Sequence, residues 1–308
     1  MKQEPVPGLR IGLIGYGEVG RIFSAGLKTG AAWIGAWDLQ FADPRSGQQA
    51  LSHAAESGVS ACDGVARLCA QTELLISAVT ASNTLAVAEA VAQHVRPGTW
   101  VLDLNSASPG TKQRAADLVD TAGGRYVEAG VMTSVPPYGI RVPMLIGGPH
   151  AADLQPLLAR LGMDSRVVSD RLGVASATKM CRSVMIKGLE ALIIESYTTA
   201  RHYGVEEAMI ATLQETFPGI DWTKQGAYFF SRVAQHGRRR AEEMREVAHT
   251  VREAGFEPWM SEAIARKHDW MAEQARTGHF AGLGGSPDWQ AFADALLAAR
   301  PAANDPLT

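Results

Sequence analysis

The stretch LRIGLIGYGEVGRIFSAGL, residues 9–27, constrains the fold more than any other. Its first seven residues have the length and apolarity of a buried strand, and from Glu18 onward apolar residues recur at helical spacing. Between the two, Gly15, Gly17 and Gly20 spell G-x-G-x-x-G. The first glycine permits a tight turn, the second lets backbone approach a pyrophosphate, and the third lets helix and strand pack closely. A bare glycine motif carries little weight, but here a strand precedes it, a helix follows it, and Asp38 closes the next apolar run, WIGAWD.

The same alternation continues. ELLISAV is followed by NTLAVAEAVAQHV, GTWVLDL by PGTKQRAADLVDTAG, and RYVEAGV and VPMLIGG come after. Uniformly apolar strands separated by helices predict a parallel sheet covered on both faces, an α/β doubly wound Rossmann-type domain over residues 1–170. Beyond residue 171 the strand signal stops, and residues 171–308 are expected to form an all-helical domain. Gly204, Pro218-Gly219, Gly237 and Gly255 are expected at its helix ends or turns, and the tail PAANDPLT is expected to be disordered.

Formal net charge is -3, with neither half strongly basic, so nucleic acid and anionic membranes are not the expected partners. No apolar run is long enough to span a bilayer, and the N-terminus lacks the apolar core of a signal peptide. Three cysteines, Cys62, Cys69 and Cys181, form neither a disulfide framework nor a metal spacing, which fits a cytoplasmic protein. The histidines show no metal-site spacing and no G-x-S-x-G occurs, so neither a bound metal nor serine hydrolysis is expected.

Asp38 stands where a carboxylate would accept hydrogen bonds from the adenosine ribose and repel a 2'-phosphate, so NAD is the expected cofactor. Arg45 could instead meet that phosphate, which leaves NADP as the alternative. Tyr16, Glu18 and Val19 of the loop, Val79 and Thr80 after ELLISAV, and Asn105 complete the expected cofactor contacts.

Four segments in order resemble the β-hydroxyacid dehydrogenases, the group containing 3-hydroxyisobutyrate and 6-phosphogluconate dehydrogenases. They are the glycine loop, DLNSASP at 103–109, the stretch YVEAGVMTSVPPYGIRVPMLIGGP, and GVASATKMCRS opening the helical half. The resemblance implies that Ser106 binds substrate and that Lys179 is the catalytic lysine. Independently of it, Ser108-Pro109 is a good helix start.

Departures mark a distinct branch, phosphogluconate dehydrogenase-like proteins whose C-terminal domain has no assigned function. Met132 and Thr133 replace residues of a glycine turn that grips a carboxylate, Arg182 and Ser183 replace paired asparagines, and Glu242 replaces a lysine. These five join the expected substrate site, with His236 and Arg239 from HGRRRAEEM, where an exposed face with Arg and Glu four apart is the competing explanation.

On a helix, Lys179, Arg182, Ser183, Ile186, Lys187 and Glu190 fall within roughly 140° of one another. Lys187 lies about 12 Å along the axis from Lys179, and is expected to pair with Glu190 or to support the site. The expected chemistry is hydride transfer between a nicotinamide cofactor and a hydroxyacid-like alcohol, with Lys179 moving the proton; burial and the cation Arg182 would favour its neutral amine. The alternatives are an imine or opine-type reductase on the same fold and a non-catalytic dinucleotide-binding protein. By the resemblance, the helical domain would pair in a homodimer.

Overall fold

The computed structural model describes residues 6–284 and 287–299; the tail PAANDPLT lies outside the described residues. Two compact units divide the chain inside one long helix, the first ending at Cys181 and the second beginning at Arg182.

In the first unit the order is β1 (Arg10–Ile14), α1 (Glu18–Leu27), β2 (Trp33–Trp37), α2 (Gly47–Glu56), β3 (Ser60–Ala61), α3 (Val65–Gln71) and β4 (Leu74–Ser77). Then come α4 (Thr84–Ala92), β5 (Trp100–Asp103), α5 (Pro109–Thr121), β6 (Arg125–Val131), β7 (Met144–Gly147), α6 (Ala151–Arg160) and β8 (Ser165–Ser169). The eight strands form one sheet in the order β3-β2-β1-β4-β5-β6-β7-β8. Strand order reverses between β1 and β4, the switch point at which doubly wound sheets open a crevice beyond their carboxyl ends.

Both faces of this sheet are covered, which is why its strands read as continuous apolar runs. In β4, Leu74 and Ile76 join the core on one side with Phe23 and Leu27 of α1. Leu75 between them joins the core on the other side with Leu68, Val91 and Val119. The expected parallel sheet is found, with one antiparallel pairing that the sequence did not reveal: β7 runs antiparallel to β6. The run VPMLIGG gives a strand, but an apolar pattern carries no direction. Two further strands, β3 and β8, are short or half-exposed and leave no apolar run to read.

Helix α7 (Val174–Tyr203) starts in the first unit and continues into the second. The second unit adds α8 (Glu206–Thr216), α9 (Trp222–Glu253), α10 (Trp259–Arg276) and α11 (Trp289–Ala298). Its apolar core joins Ile194 and Tyr197 of α7 to Phe230 and Val233 of α9, Met271 of α10, and Trp289 and Phe292 of α11. Asp221 caps α9 and Asp288 caps α11, each accepting a backbone N–H three residues on.

Gly204 and Gly255 follow helix ends with positive φ, where a side chain would be strained. Gly237 does not end a helix; it lies inside α9, where an added Cβ would stand 2.7 Å from the carbonyl oxygen of His268. This glycine serves a close approach of α9 and α10, so a packing requirement overrode its breaker tendency.

Candidate active site

Three loops leave the carboxyl ends of β1, β4 and β5 at the switch point. In the first, each glycine has a separate steric reason. Gly15 has φ +95, and a Cβ there would meet the Ala78 carbonyl oxygen at 2.3 Å; a Cβ on Gly20 would meet the Gly15 oxygen at 2.0 Å. Around Gly17, by contrast, nothing lies within 4 Å of where a Cβ would be. The turn is therefore closed against the sheet and open toward an approaching group, and Gly17 begins α1 without a side-chain cap. An anionic ligand can meet those N–H groups.

Asp38 directly follows β2 and faces this loop. Its carboxylate accepts the Tyr16 N–H at 2.5 Å and the Gln40 N–H at 2.7 Å. It is half-exposed, and an ionised carboxylate has lone pairs left for further donors. The Tyr16 ring is buried, with its hydroxyl 3.1 Å from Nδ1 of His53, so only its backbone faces the loop. Glu18 is exposed, Val19 half-buried, and Arg45 exposed on the following turn. These residues fit a bound dinucleotide.

The loops after β4 and β5 are tied together from below. Buried Asn105 accepts the Val79 N–H at 2.7 Å and donates to Ser77 Oγ at 2.9 Å, so its side chain shapes the Val79-Thr80 turn. Asp103 accepts the Asn105 N–H at 2.8 Å, the Tyr126 hydroxyl at 2.6 Å and the Lys112 ammonium at 2.9 Å. Lys112 is fully buried and also donates to the Asp103 carbonyl oxygen. Burial, then the neighbouring Asp103 carboxylate, push the Tyr126 phenol well above its usual range, which keeps it a donor.

Lys112 and Tyr126 escaped the sequence reading. Lys112 shares the buried face of α5 with Ala115, Ala116 and Val119, a lysine where the 3–4 spacing calls for an apolar residue. Ser108 accepts the Thr111 N–H at 3.3 Å and Pro109 opens α5, as the helix start predicted.

Above this network the half-exposed Ser106 accepts a hydrogen bond from Lys179 Nζ at 2.5 Å. The two residues lie 73 apart in the chain, Ser106 on the loop after β5 and Lys179 in the second turn of α7. Met132 is half-buried and its N–H donates to the Pro143 carbonyl at 3.0 Å, while Thr133 is exposed. The amide of Met132 is thus held within the turn to β7.

The expected substrate residues of the second unit have mixed settings. Arg182 is exposed. Ser183 is buried and accepts from Lys187 Nζ at 3.3 Å. Lys187 pairs with Glu243 at 2.8 Å, rather than with Glu190 as expected. Fully buried Glu190 is held instead by Arg240, whose Nε donates at 2.8 Å and whose Nη2 makes a second bond.

Of the three consecutive arginines it is Arg240 that is buried. Arg239 is exposed with Glu243 four residues on at 4.0 Å, the geometry of a surface pair. His236 is half-buried, as is Glu242, whose Oε2 is buried without a hydrogen-bond partner.

Burial raises the Glu190 carboxyl against the opposing pull of Arg240 and Lys187. His268 is wholly buried, and burial followed by the cations Arg240 and Lys187 lowers it to about 3. It is therefore neutral, and its 3.7 Å approach to Glu190 is not an ion pair. Among the described residues no group of three or more His, Cys, Asp or Glu side chains is placed to hold a metal ion, and no helix is long and apolar enough to cross a membrane.

The NAD binding domain of 6-phosphogluconate dehydrogenase matches residues 10–168, and a domain of unknown function, DUF1932, matches residues 200–271. Among solved structures, a conserved hypothetical protein from Sinorhizobium meliloti 1021 is 38% identical with a TM-score of 0.73, over 94% of this chain and 96% of that one. The conserved protein MTH1747, described as structurally similar to 3-hydroxyacid dehydrogenases, is 30% identical over 87% of this chain and 98% of that one, with a TM-score of 0.66. The 3-hydroxyisobutyrate dehydrogenase of Mycobacterium tuberculosis, solved with L-serine, shares the fold at a TM-score of 0.65 and 17% identity, over 94% of this chain and 99% of that one.

Proposed function

Because the chain belongs to the family built on the NAD-binding domain of 6-phosphogluconate dehydrogenase, in its branch with a DUF1932 domain, we propose that it is an NAD(P)-dependent oxidoreductase acting on the CH–OH group of a hydroxyacid-like substrate. The observation that carries this is the pair of Lys179 and Ser106, Nζ to Oγ 2.5 Å, on the loop next to those that fit a dinucleotide.

The glycine loop, the first turn of α1 and Asp38 would hold the cofactor, whose nicotinamide ring, when bound, takes or gives the hydride. The protein's own task is to orient the alcohol and move its proton. In oxidation the neutral Lys179 amine accepts the hydroxyl proton; in reduction the Lys179 ammonium donates it to the oxygen that forms the alcohol. Ser106, which follows Asn105, whose N–H Asp103 accepts, keeps Lys179 Nζ in one position and can itself bond a substrate oxygen. Arg182, exposed and three residues on along α7, is the cation assigned to a substrate anion.

Asp38 favours NAD over NADP, since its carboxylate would repel a 2'-phosphate. The cysteines are free, Cys62 and Cys69 buried, which suits a reducing cytoplasm. Exposed Met185 and Leu192 on α7 support a homodimer.

The test is a panel of hydroxyacids, sugar acids and aryl hydroxyacids with NAD+ and with NADP+, read by formation of the reduced cofactor. Turnover of at least one acid class is expected. Turnover confined to imines or amines, or NADH binding with no turnover of any compound, would replace this function with a reductase or a binding protein.

A further inference from the structure

Strand β6 carries a fully buried carboxylate, Glu128, directly beneath the first turn of α7. Helix α7 is preceded by Leu172 and Gly173, with no capping Ser, Thr, Asp or Asn side chain directly before Val174. Its first N–H groups are met from outside instead. Glu128 Oε1 accepts the N–H groups of Gly173 at 2.8 Å and Ala175 at 3.1 Å, and Oε2 accepts that of Ser176 at 3.4 Å. A carboxylate at a helix N-terminus makes charge-assisted bonds and complements the helix dipole.

Two glycines complete the seat. Gly147 pairs across from Glu128 in β7, and a Cβ on it would stand 2.8 Å from Glu128 Oε1. Gly130 shares the strand face of Glu128, and a Cβ on it would stand 3.0 Å from the Ala175 carbonyl oxygen and 3.4 Å from Lys179 Cβ. The floor of β6 and β7 is bare where α7 rests and charged where its N–H groups point.

We propose that Glu128 is a positioning residue for Lys179, fixing the height and rotation of the turn that carries the amine to Ser106. Lys179 lies one turn beyond Ala175, so any slide or rotation of that turn moves Nζ from its 2.5 Å contact. As a role in catalysis this rests on the function proposed above; as a statement about the amine it does not.

Two variants separate position from mere folding. Glu128→Gln keeps the size but sets a neutral amide against three donors. Gly130→Ala keeps the carboxylate and pushes on the Ala175 carbonyl and Lys179 Cβ. Competitive acetylation of the lysines across a pH series, read by mass spectrometry with exposed Lys28 as reference, reports on Lys179 without any substrate.

The expected result is that both variants bind NADH as the unaltered protein does, while the Lys179 labelling profile shifts severalfold. On a turned-over substrate kcat should fall about 100-fold, the cost of misplacing a catalytic group by an ångström, with the KM for cofactor unchanged. An unchanged labelling profile in the variants that bind NADH overturns the proposal. Absence of turnover in the unaltered protein counts against the proposed function alone, since the labelling still decides the role of Glu128. Gly130→Ala carries the same test if Glu128→Gln does not fold.

Discussion

Both units bury charge, and they use it differently. In the first, Asp103, Lys112 and Glu128 spend much of their hydrogen-bonding capacity on backbone: the Asn105 N–H, the Asp103 carbonyl, and the start of α7. These bonds end beneath a half-exposed pair, Lys179 and Ser106. In the second, Glu190, Arg240, Lys187 and Glu243 close side chain to side chain between α7 and α9, and His268 of α10 is left neutral among them. Buried charge that ends on loop backbone fixes a reactive group; buried charge that closes on itself fixes helices.

The largest effect that could break this contrast comes from opening the helical cluster. Glu190→Gln or Arg240→Met leaves one buried charge without its partner and should cost roughly 3–5 kcal/mol. Denaturant unfolding checks it, and Glu190→Leu with Arg240→Met should recover most of the loss. If either single change is silent, the cluster does not hold the helices.

Acid sharpens the same point. His268 is lowered from 6.5 to about 3 by burial, so below pH 6.5 the unfolded chain binds a proton that the folded chain refuses. Stability should fall as pH drops through that window, by about 2 kcal/mol between pH 7 and pH 5. Glu190, raised by burial, takes its proton first in the folded state and opposes the loss at the acid end. Unfolding midpoints of the unaltered protein should therefore drop with pH more steeply than those of His268→Gln.

In the first unit Asp38→Ala removes the carboxylate facing the glycine loop and should lower the preference for NAD over NADP by about tenfold, the ratio a 1.4 kcal/mol difference gives. Ratios of kcat/KM for the two cofactors measure it. The smallest effect is chemical: an uncharged thiol reagent should label exposed Cys181. Buried Cys62, and Cys69 with its thiol pushed by burial to about 11, should stay unreactive in the folded protein.

What was legible follows from distance along the chain. The glycine loop could be read because its three glycines, the strand before them and the helix after them lie within 19 residues, although the Ala78 carbonyl that Gly15 must clear lies 63 residues later. Ser108-Pro109 could be read as a helix start for the same reason. Lys179 emerged only through resemblance, since its partner Ser106 lies 73 residues earlier. Glu128 was illegible, because the N–H groups it meets are 45 to 48 residues later.

In HGRRRAEEM the choice between Arg239 and Arg240 depends on which side of α9 meets α7 and α10. Consecutive arginines hide that. Gly237 misled because a glycine in a helical pattern suggests an end unless another helix presses on it.

The contrast between the units is tested most directly by Lys179→Met and Lys187→Met side by side, comparing turnover per folded molecule and unfolding midpoint. Lys179→Met should abolish turnover while keeping NADH binding and stability; Lys187→Met should lose stability by removing the buried ammonium that joins Ser183 to Glu243, and keep kcat. Retained turnover in Lys179→Met, with activity lost in a stably folded Lys187→Met, would contradict the account.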